Sequence, residues 1–510
     1  MQEDSLKKRY FSRLSSRVIQ FLIGFITIGI VPRSLGDEMY GNLGFLTSSF
    51  RNLFKFLRLG IPGTYYVKIS NRPQEKSIIS FYFSYVFFVI TILFIFLTFL
   101  IIFDKEYIFF PGQKNSFILL AGILAALNFF NDSIRLTTDA YALTHSFELI
   151  LMFKVIMVAV VILTSSYYDL LNLENYFIIN TFFLSLLIMG GAFIIFKNKV
   201  IIIKKIFITK DQFLTYCREF YKFASPLVIV SILVMPVLML DRWLLQSFYG
   251  SIEQSYYTLA LAISGVVYIL PSASSELILR EMSAVSKKNN NEKLERLFKK
   301  YFPPFFLVSV YFGVFISNNA ESIILIFLGE EFRKSHFVIS FLVLGTSFQA
   351  LSSFTSNIIM AKEKTSLLRN IGIFTTFTAL FSSFILIFPI KYGGLNLGAI
   401  GLSIKMLIHQ FLIANIYLYY CSKILNFKFY VYLFCQFIIF IIFGTISFCS
   451  KIFTSHFIEN MFFNFILDGL LYSTVVIVLV ISFPRFFMLK QKDINNFIIF
   501  FKEKVKNFKR

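Results

Sequence analysis

The sequence predicts an all-α polytopic membrane protein, and three observations carry that prediction. Only 15% of the 510 residues are charged, against about 25% in soluble domains. The mean hydropathy is +0.73. Apolar runs of about 20 residues recur from one end of the chain to the other, the length a helix needs to cross hydrocarbon. About fourteen transmembrane helices are expected.

The first run, 13–31, is followed by VPRSLGDEMYG and not by a small-residue cleavage site, so it reads as a retained helix and not a signal peptide. The second, 40–62, carries Arg51, Lys55 and Arg58 through a stretch long enough to span. Runs at 79–103, 116–137, 143–164 and 176–196 complete a first set of six. A basic stretch follows, with Lys197, Lys199, Lys204, Lys205 and Lys210. Six further runs lie at 223–240, 257–279, 301–319, 336–360, 370–389 and 398–420. A last pair lies at 429–448 and 464–484. In the tail, Ile494, Phe497, Ile498, Phe501, Val505 and Phe508 fall at helical spacing with lysines opposite, the pattern of a helix lying on a membrane surface. The expected organisation is an N-terminal lobe over 1–196, a basic cytoplasmic connector over 197–222, a C-terminal lobe over 223–424, an added hairpin over 425–484 and a basic amphipathic cytoplasmic tail over 485–510.

Basic residues alternate with the spans. Lys7, Lys8 and Arg9 precede the first and Arg13 opens it, and Lys68, Arg72 and Lys76 follow the second. Lys287, Lys288, Lys293, Arg296, Lys299 and Lys300 follow the eighth. The intervening loops are poor in Lys and Arg, which places both termini on the cytoplasmic side. The net charge of +21 is therefore a topology signal facing anionic lipid, and nucleic acid is not called for. The segments RSLGDEMYGNLGFL after span one and RWLLQSFYGSIEQSYYTLALA after span seven resemble each other through a shared Tyr-Gly, as an internal repeat would.

Several chemistries are excluded. The cysteines, Cys217, Cys421, Cys435 and Cys449, form no CxxC pair and have no histidine at metal-ligand spacing. No GxxxxGK[ST] phosphate loop occurs, and no nucleophile–base pair points to an enzyme. Neither a cofactor nor a metal is expected.

What remains is a set of polar stripes inside the spans. Gly44, Ser48, Arg51, Lys55 and Arg58 share one helical face of span two, with Arg51 near mid-membrane. A charge there costs about 2.5–3.5 kcal/mol, so it should face protein or water and not lipid. Span one carries Arg13, Arg17, Gln20, Gly24 and Thr27 on one face. Span four carries Asn128, Asn131, Asp132, Arg135 and Asp139; span five adds His145 and Glu148, and span twelve adds Lys405 and His409. Span four also reads as a structural ion-pair face, with Asp132 and Arg135 one turn apart. Lys405 and His409 fit a cavity or a polar contact between helices. Glu276 and Arg280 read as an interfacial ion pair. Span two has no acid of its own to balance three cations, so it points to an anionic ligand. Arg matches phosphate and diphosphate through bidentate, charge-assisted hydrogen bonds.

Seven segments stand out in order: VPRSLGDEMYGNLGF at 31–45, IPG at 61–63, DRWLLQSFYG at 241–250 and YYTLALAISG at 256–265, then IILIFLGEEFRKSHFVISFLVLGTSFQALSS at 323–353, MAKEKTSLLRNIG at 360–372 and YGGLNLGAIGLSI at 392–404. In type and order they resemble the polysaccharide flippases (Wzx-type O-unit translocases) of the multidrug/oligosaccharidyl-lipid/polysaccharide exporter superfamily. The resemblance implies two six-helix lobes in a V around a central cationic cavity that opens alternately to either face. It implies a polyprenyl-diphosphate-linked oligosaccharide as substrate, membrane lipids and polysaccharide polymerase or ligase machinery as partners, and the bacterial inner membrane as location. Span one lacks the acidic residue that many drug exporters of the superfamily use for an ion, which leaves the coupling ion open. A lipid-linked peptidoglycan-precursor flippase and a Na⁺- or H⁺-driven multidrug exporter are the alternatives. Arg51 and Lys55 are expected at the diphosphate and Arg17 and Arg58 at a cytoplasmic entrance. Asn128, Asn131, Asp132, Arg135, Lys405 and His409 are expected along the cavity.

Overall fold

The computed structural model of the protein describes residues 6–58, 60–200, 208–286, 291–489 and 491. Among them there is no β-strand, and twelve helices are long and apolar enough to cross a membrane. Fifteen α-helices follow in order: α1 (Leu6–Arg58), α2 (Ile61–Asn71), α3 (Ser77–Ile102), α4 (Glu106–Phe109), α5 (Asn115–Ala140), α6 (Thr144–Tyr167), α7 (Leu173–Lys197), α8 (Lys210–Ser286), α9 (Asn291–Asn318), α10 (Ala320–Phe327), α11 (His336–Ala361), α12 (Thr365–Ile387), α13 (Gly398–Leu425), α14 (Phe429–Ser455) and α15 (Met461–Ser482).

α1 and α8 each hold two expected spans, so counting their halves separately brings the twelve to fourteen. The sequence suggested polar loops at 32–39 and 241–256; in both places helices abut at a single glycine. Gly36 has φ 74°, ψ 169° and Gly250 has φ 76°, ψ −168°, a region open essentially to glycine alone. Asp37 and Glu38 then open the next helix, where acids favour the positive end of the helix dipole. The matching dihedrals put the internal likeness in a different register from the shared Tyr-Gly. Gly250 corresponds to Gly36, and Gly41 has another role. A Cβ on Gly41 would lie 1.7 Å from the Ser251 carbonyl oxygen, so α1 and α8 touch backbone to backbone there. Asn42 Oδ1 seals the contact, accepting from Ser251 Oγ and Gln113 Nε2, both at 2.6 Å.

Span two also ends earlier than expected. Gly60 takes a left-handed conformation (φ 74°, ψ −2°), and Pro62 opens α2. α8 starts within the expected connector, at a capping box. Thr209 Oγ1 accepts from the Gln212 amide and Gln212 Oε1 from the Thr209 amide, both at 3.3 Å. Residues 201–207 of that connector and the tail helix expected from Ile494 lie outside the described residues. Glu276 and Arg280 lie outside the described side chains.

The chain forms two compact units, Met1–Ser255 and Tyr256–Arg510. The contacts therefore group span seven with the first six, and the division falls within α8. Lipid is as apolar as a leucine side chain, so helices here associate through close packing and polar contacts. In the first unit Tyr65 and Tyr82 stack at 4.0 Å. Their hydroxyls reach Thr137 Oγ1 (2.8 Å) and Ser133 Oγ (3.2 Å) on α5. In the second unit Phe298, Phe302, Phe306 and Phe354 cluster around Tyr432 of α14, whose ring meets Phe302 edge-on at 5.2 Å. The hairpin α14–α15 is keyed into this unit. Tyr472 Oη donates to the Tyr311 carbonyl (3.0 Å), and buried Asp468 accepts from Ser450 Oγ (2.5 Å) and Asn319 Nδ2 (2.7 Å). Its other faces present Phe434, Ile441, Phe448, Phe463 and Leu470 outward, as a lipid-contacting surface requires.

Candidate functional site

The part of α1 after Gly36 meets α5 along a face on which apolar and charged side chains alternate. Thr47, Arg51, Phe54, Lys55 and Arg58 recur at spacings of three and four on α1. Ala121, Leu124, Ala125, Asn128, Phe129 and Asp132 do so on α5. Together these eleven residues line a cavity of about 440 Å³, within the size range of ligand pockets. Two alanines on α5 leave the room that larger side chains would fill. Phe54 and Phe129 pack at 5.1 Å and form the apolar wall.

The charges are unequal: three cations from α1 stand against one carboxylate. Arg58 Nη2 donates to Asp132 Oδ2, and its guanidinium lies 5.3 Å from the Phe129 ring centre. Arg58 Nε is buried without an acceptor. Arg51 and Lys55 are exposed and have no carboxylate partner among the described residues. Asn128, also exposed, donates to the Leu124 carbonyl (2.9 Å), which leaves its Oδ1 available.

The expected site residues thus separate. Arg51, Lys55, Arg58, Asn128 and Asp132 line one cavity. Gly44 and Ser48 do not; they are buried, with Ser48 Oγ donating to the Phe45 carbonyl (3.0 Å), and Thr47 takes the lining position one residue earlier. Asn131 turns into the packed core, where its Oδ1 has no partner. Arg17 is exposed on α1 and is not among the lining residues. Lys405, buried, donates to Ser383 Oγ (2.6 Å) between α13 and α12; His409 is half-buried one turn along. Both belong to the second unit. Thr47, Phe54, Ala121, Leu124, Ala125 and Phe129 were not anticipated. The signal for them was spacing, since Thr47 precedes Arg51 by four and Ala121, Ala125 and Phe129 follow one another by four.

Arg135 joins a different cluster. It donates to Glu148 Oε1 (2.5 Å), while Arg13 pairs with Asp139 and lies 3.6 Å from the same Glu148 oxygen. Thr144 Oγ1 donates to Asp139 (2.9 Å), and Ser12 Oγ contacts His145 Nδ1 (2.5 Å). Two arginines thus balance two acids across α1, α5 and α6, with Glu148 fully buried. A third cluster lies beyond the spans. Glu219 of α8 accepts from Lys68 and from Arg72 (2.6 Å), and Arg72 reaches Glu75 (3.2 Å). Hydrogen bonds from Arg72 and Lys68 hold the Glu219 carboxyl below its usual range. Burial and Glu75 push the Tyr216 hydroxyl up to about 12.

No family model matches the chain, and no curated protein matches it. Solved structures do. A lipid II flippase, MurJ, in an inward closed conformation aligns over 94% of this chain and 99% of its own, with a TM-score of 0.65 at 14% identity. An inward-facing multidrug resistance MATE family transporter of the MOP superfamily aligns over 79% and 94%, with a TM-score of 0.65 at 13% identity. A MOP superfamily transporter from Pyrococcus furiosus, described by a reversed polarity of its binding pocket, aligns over 82% and 95%, with a TM-score of 0.54 at 12% identity. The chain has the fold of these transporters and is a multi-pass membrane protein.

Proposed function

We propose that this protein is a transporter without catalytic chemistry that flips a polyprenyl-diphosphate-linked oligosaccharide across the bacterial inner membrane. It works by alternating access and serves the assembly of a surface polysaccharide. The observation that carries this reading is the cavity between α1 and α5. Arg51 and Lys55 stand there without carboxylate partners among the described residues, with Arg58 one turn further along. In a low-dielectric span, cations left unpaired are expensive unless a ligand supplies the opposite charge. A diphosphate does so, and its oxygens suit the planar fork of Arg. A cavity selecting drug cations would carry the opposite sign. The sugars would pass through water-accessible space while the prenyl chain stays in lipid.

The test is genetic. Deleting the gene and assaying surface polysaccharide, drug sensitivity and viability separates the alternatives. Loss of surface glycan with lipid-linked units accumulating inside is the expected result. Loss of viability with intact surface glycan would favour a peptidoglycan-precursor flippase. Unchanged surface glycan with drug hypersensitivity would overturn the proposal in favour of an exporter.

A further inference from the structure

We infer that Asp132 is a displaceable counter-anion, occupying in the resting cavity the place that a substrate phosphate takes on Arg58. This inference rests on reading the cavity as a phosphate site, and it adds how that site is kept from binding too tightly.

Asp132 is the only acid among the eleven lining residues. Its side chain is 46% exposed, so it stands in the cavity and is not locked in the helix interface. The contact with Arg58 uses one N–H; the Nε–H is buried and without an acceptor. Once the carboxylate swings away, a ligand with several oxygens could meet more of the guanidinium's N–H groups than the single one the carboxylate meets. Arg58 has a second hold, the face of Phe129 at 5.3 Å, which keeps the guanidinium in place if the carboxylate swings away. The acid is one turn from Asn128, a neutral group whose amide nitrogen donates to the Leu124 carbonyl, so no second charge from α5 competes with it in the cavity.

These features make an exchange site. When the cavity is empty, Asp132 spares Arg58 the cost of standing uncompensated within a membrane span. When a diphosphate enters, Arg51 and Lys55 attract it, and its oxygens replace the carboxylate on Arg58. Asp132 stays nearby as a like charge that opposes the ligand. Affinity falls, and release becomes easier. A transporter must let go of what it binds, so this moderation serves turnover.

The test uses purified full-length protein and inorganic pyrophosphate, with binding measured calorimetrically at fixed ionic strength. Removing one negative charge a few ångströms from the ligand, in Asp132→Asn, should tighten pyrophosphate binding roughly five- to tenfold. Asp132→Glu should stay near wild type, and Arg51→Ala should weaken binding. Asp132→Ser serves the same purpose if the Asn variant fails to fold. Unchanged or weaker binding in the folded neutral variants would show that Asp132 merely positions Arg58, and would overturn the inference. If Arg51→Ala still weakens binding in that case, the phosphate reading survives alone. If wild-type protein does not bind pyrophosphate at all, the phosphate reading falls and takes this inference with it.

Discussion

Two charged regions of the first unit use the same residue types in opposite ways. Around Glu148, Arg13 and Arg135 meet two acids, so the charges balance in number, and the central carboxylate is wholly buried, with Arg13 Nε and Glu148 Oε2 lacking a hydrogen-bond partner among the described residues. In the cavity, three cations meet one acid, and two of them remain exposed and without a carboxylate partner among the described residues. The first region is balanced and closed; the second is unbalanced and open. The two regions, on adjoining helices, differ in whether the protein itself supplies the counter-charge, and that difference is what the proposed phosphate site rests on.

The sharpest way to break the contrast is to reverse the cavity's charge. Arg51→Glu should reduce transport at least ~100-fold, a loss of roughly 2.7 kcal/mol or more of transition-state stabilisation, while the melting temperature in detergent stays near wild type. A comparable loss of stability would place Arg51 with the structural charges. The converse variant is Glu148→Gln. It leaves Arg135 without its carboxylate, while Arg13 keeps Asp139, and should cost about 2–3 kcal/mol of stability, read as a lower melting temperature, with transport per folded molecule little changed. A milder test is Arg51→Lys, which keeps the charge and loses the fork; transport should fall roughly five- to tenfold. Full activity would show that geometry is unimportant at that position.

The smallest effect is expected at Glu219, whose cluster is paired but half-exposed and beyond the spans. Its carboxyl is held below the usual range by Arg72 and Lys68. A depressed pKa contributes stability above the ordinary carboxyl range, near ~4.3, and that contribution is lost as pH falls through the lowered value. Glu219→Gln should therefore lower stability by roughly 0.5 kcal/mol at neutral pH, less at high salt, and the difference from wild type should vanish in acid. A difference that persists at low pH would mean that packing, not charge, ties α8 to α2.

Much of this was legible in the sequence. Apolar runs announce the spans because a helix in hydrocarbon has no alternative way to satisfy its backbone. The cationic face of span two follows from spacings of three and four alone. The joins were less legible: PRSLGDEM has the composition of a loop, yet it is helical on both sides of Gly36, and nothing in composition distinguishes Gly36 from Gly41. Pairing was hidden as well. Asp132 and Arg135 are one turn apart, but Asp132 meets Arg58, 74 residues away, and Arg135 meets Glu148. A rotation of α5 by a few tens of degrees decides that, and local sequence does not encode it. The same holds for the exchange of Ser48 for Thr47 on the cavity wall.

The abutting helices at Gly36 and Gly250 have a practical consequence for anyone probing the protein from outside. A turn made by one residue gives a protease no extended segment to cleave and an antibody no loop to grip. An inserted tag there finds no slack that would absorb it without parting two helices. Insertion scanning should therefore be silent across 32–40 and 241–256, whereas the turn before Asn460, where the chain leaves one helix and is capped into the next, should accept a foreign epitope and report its side of the membrane.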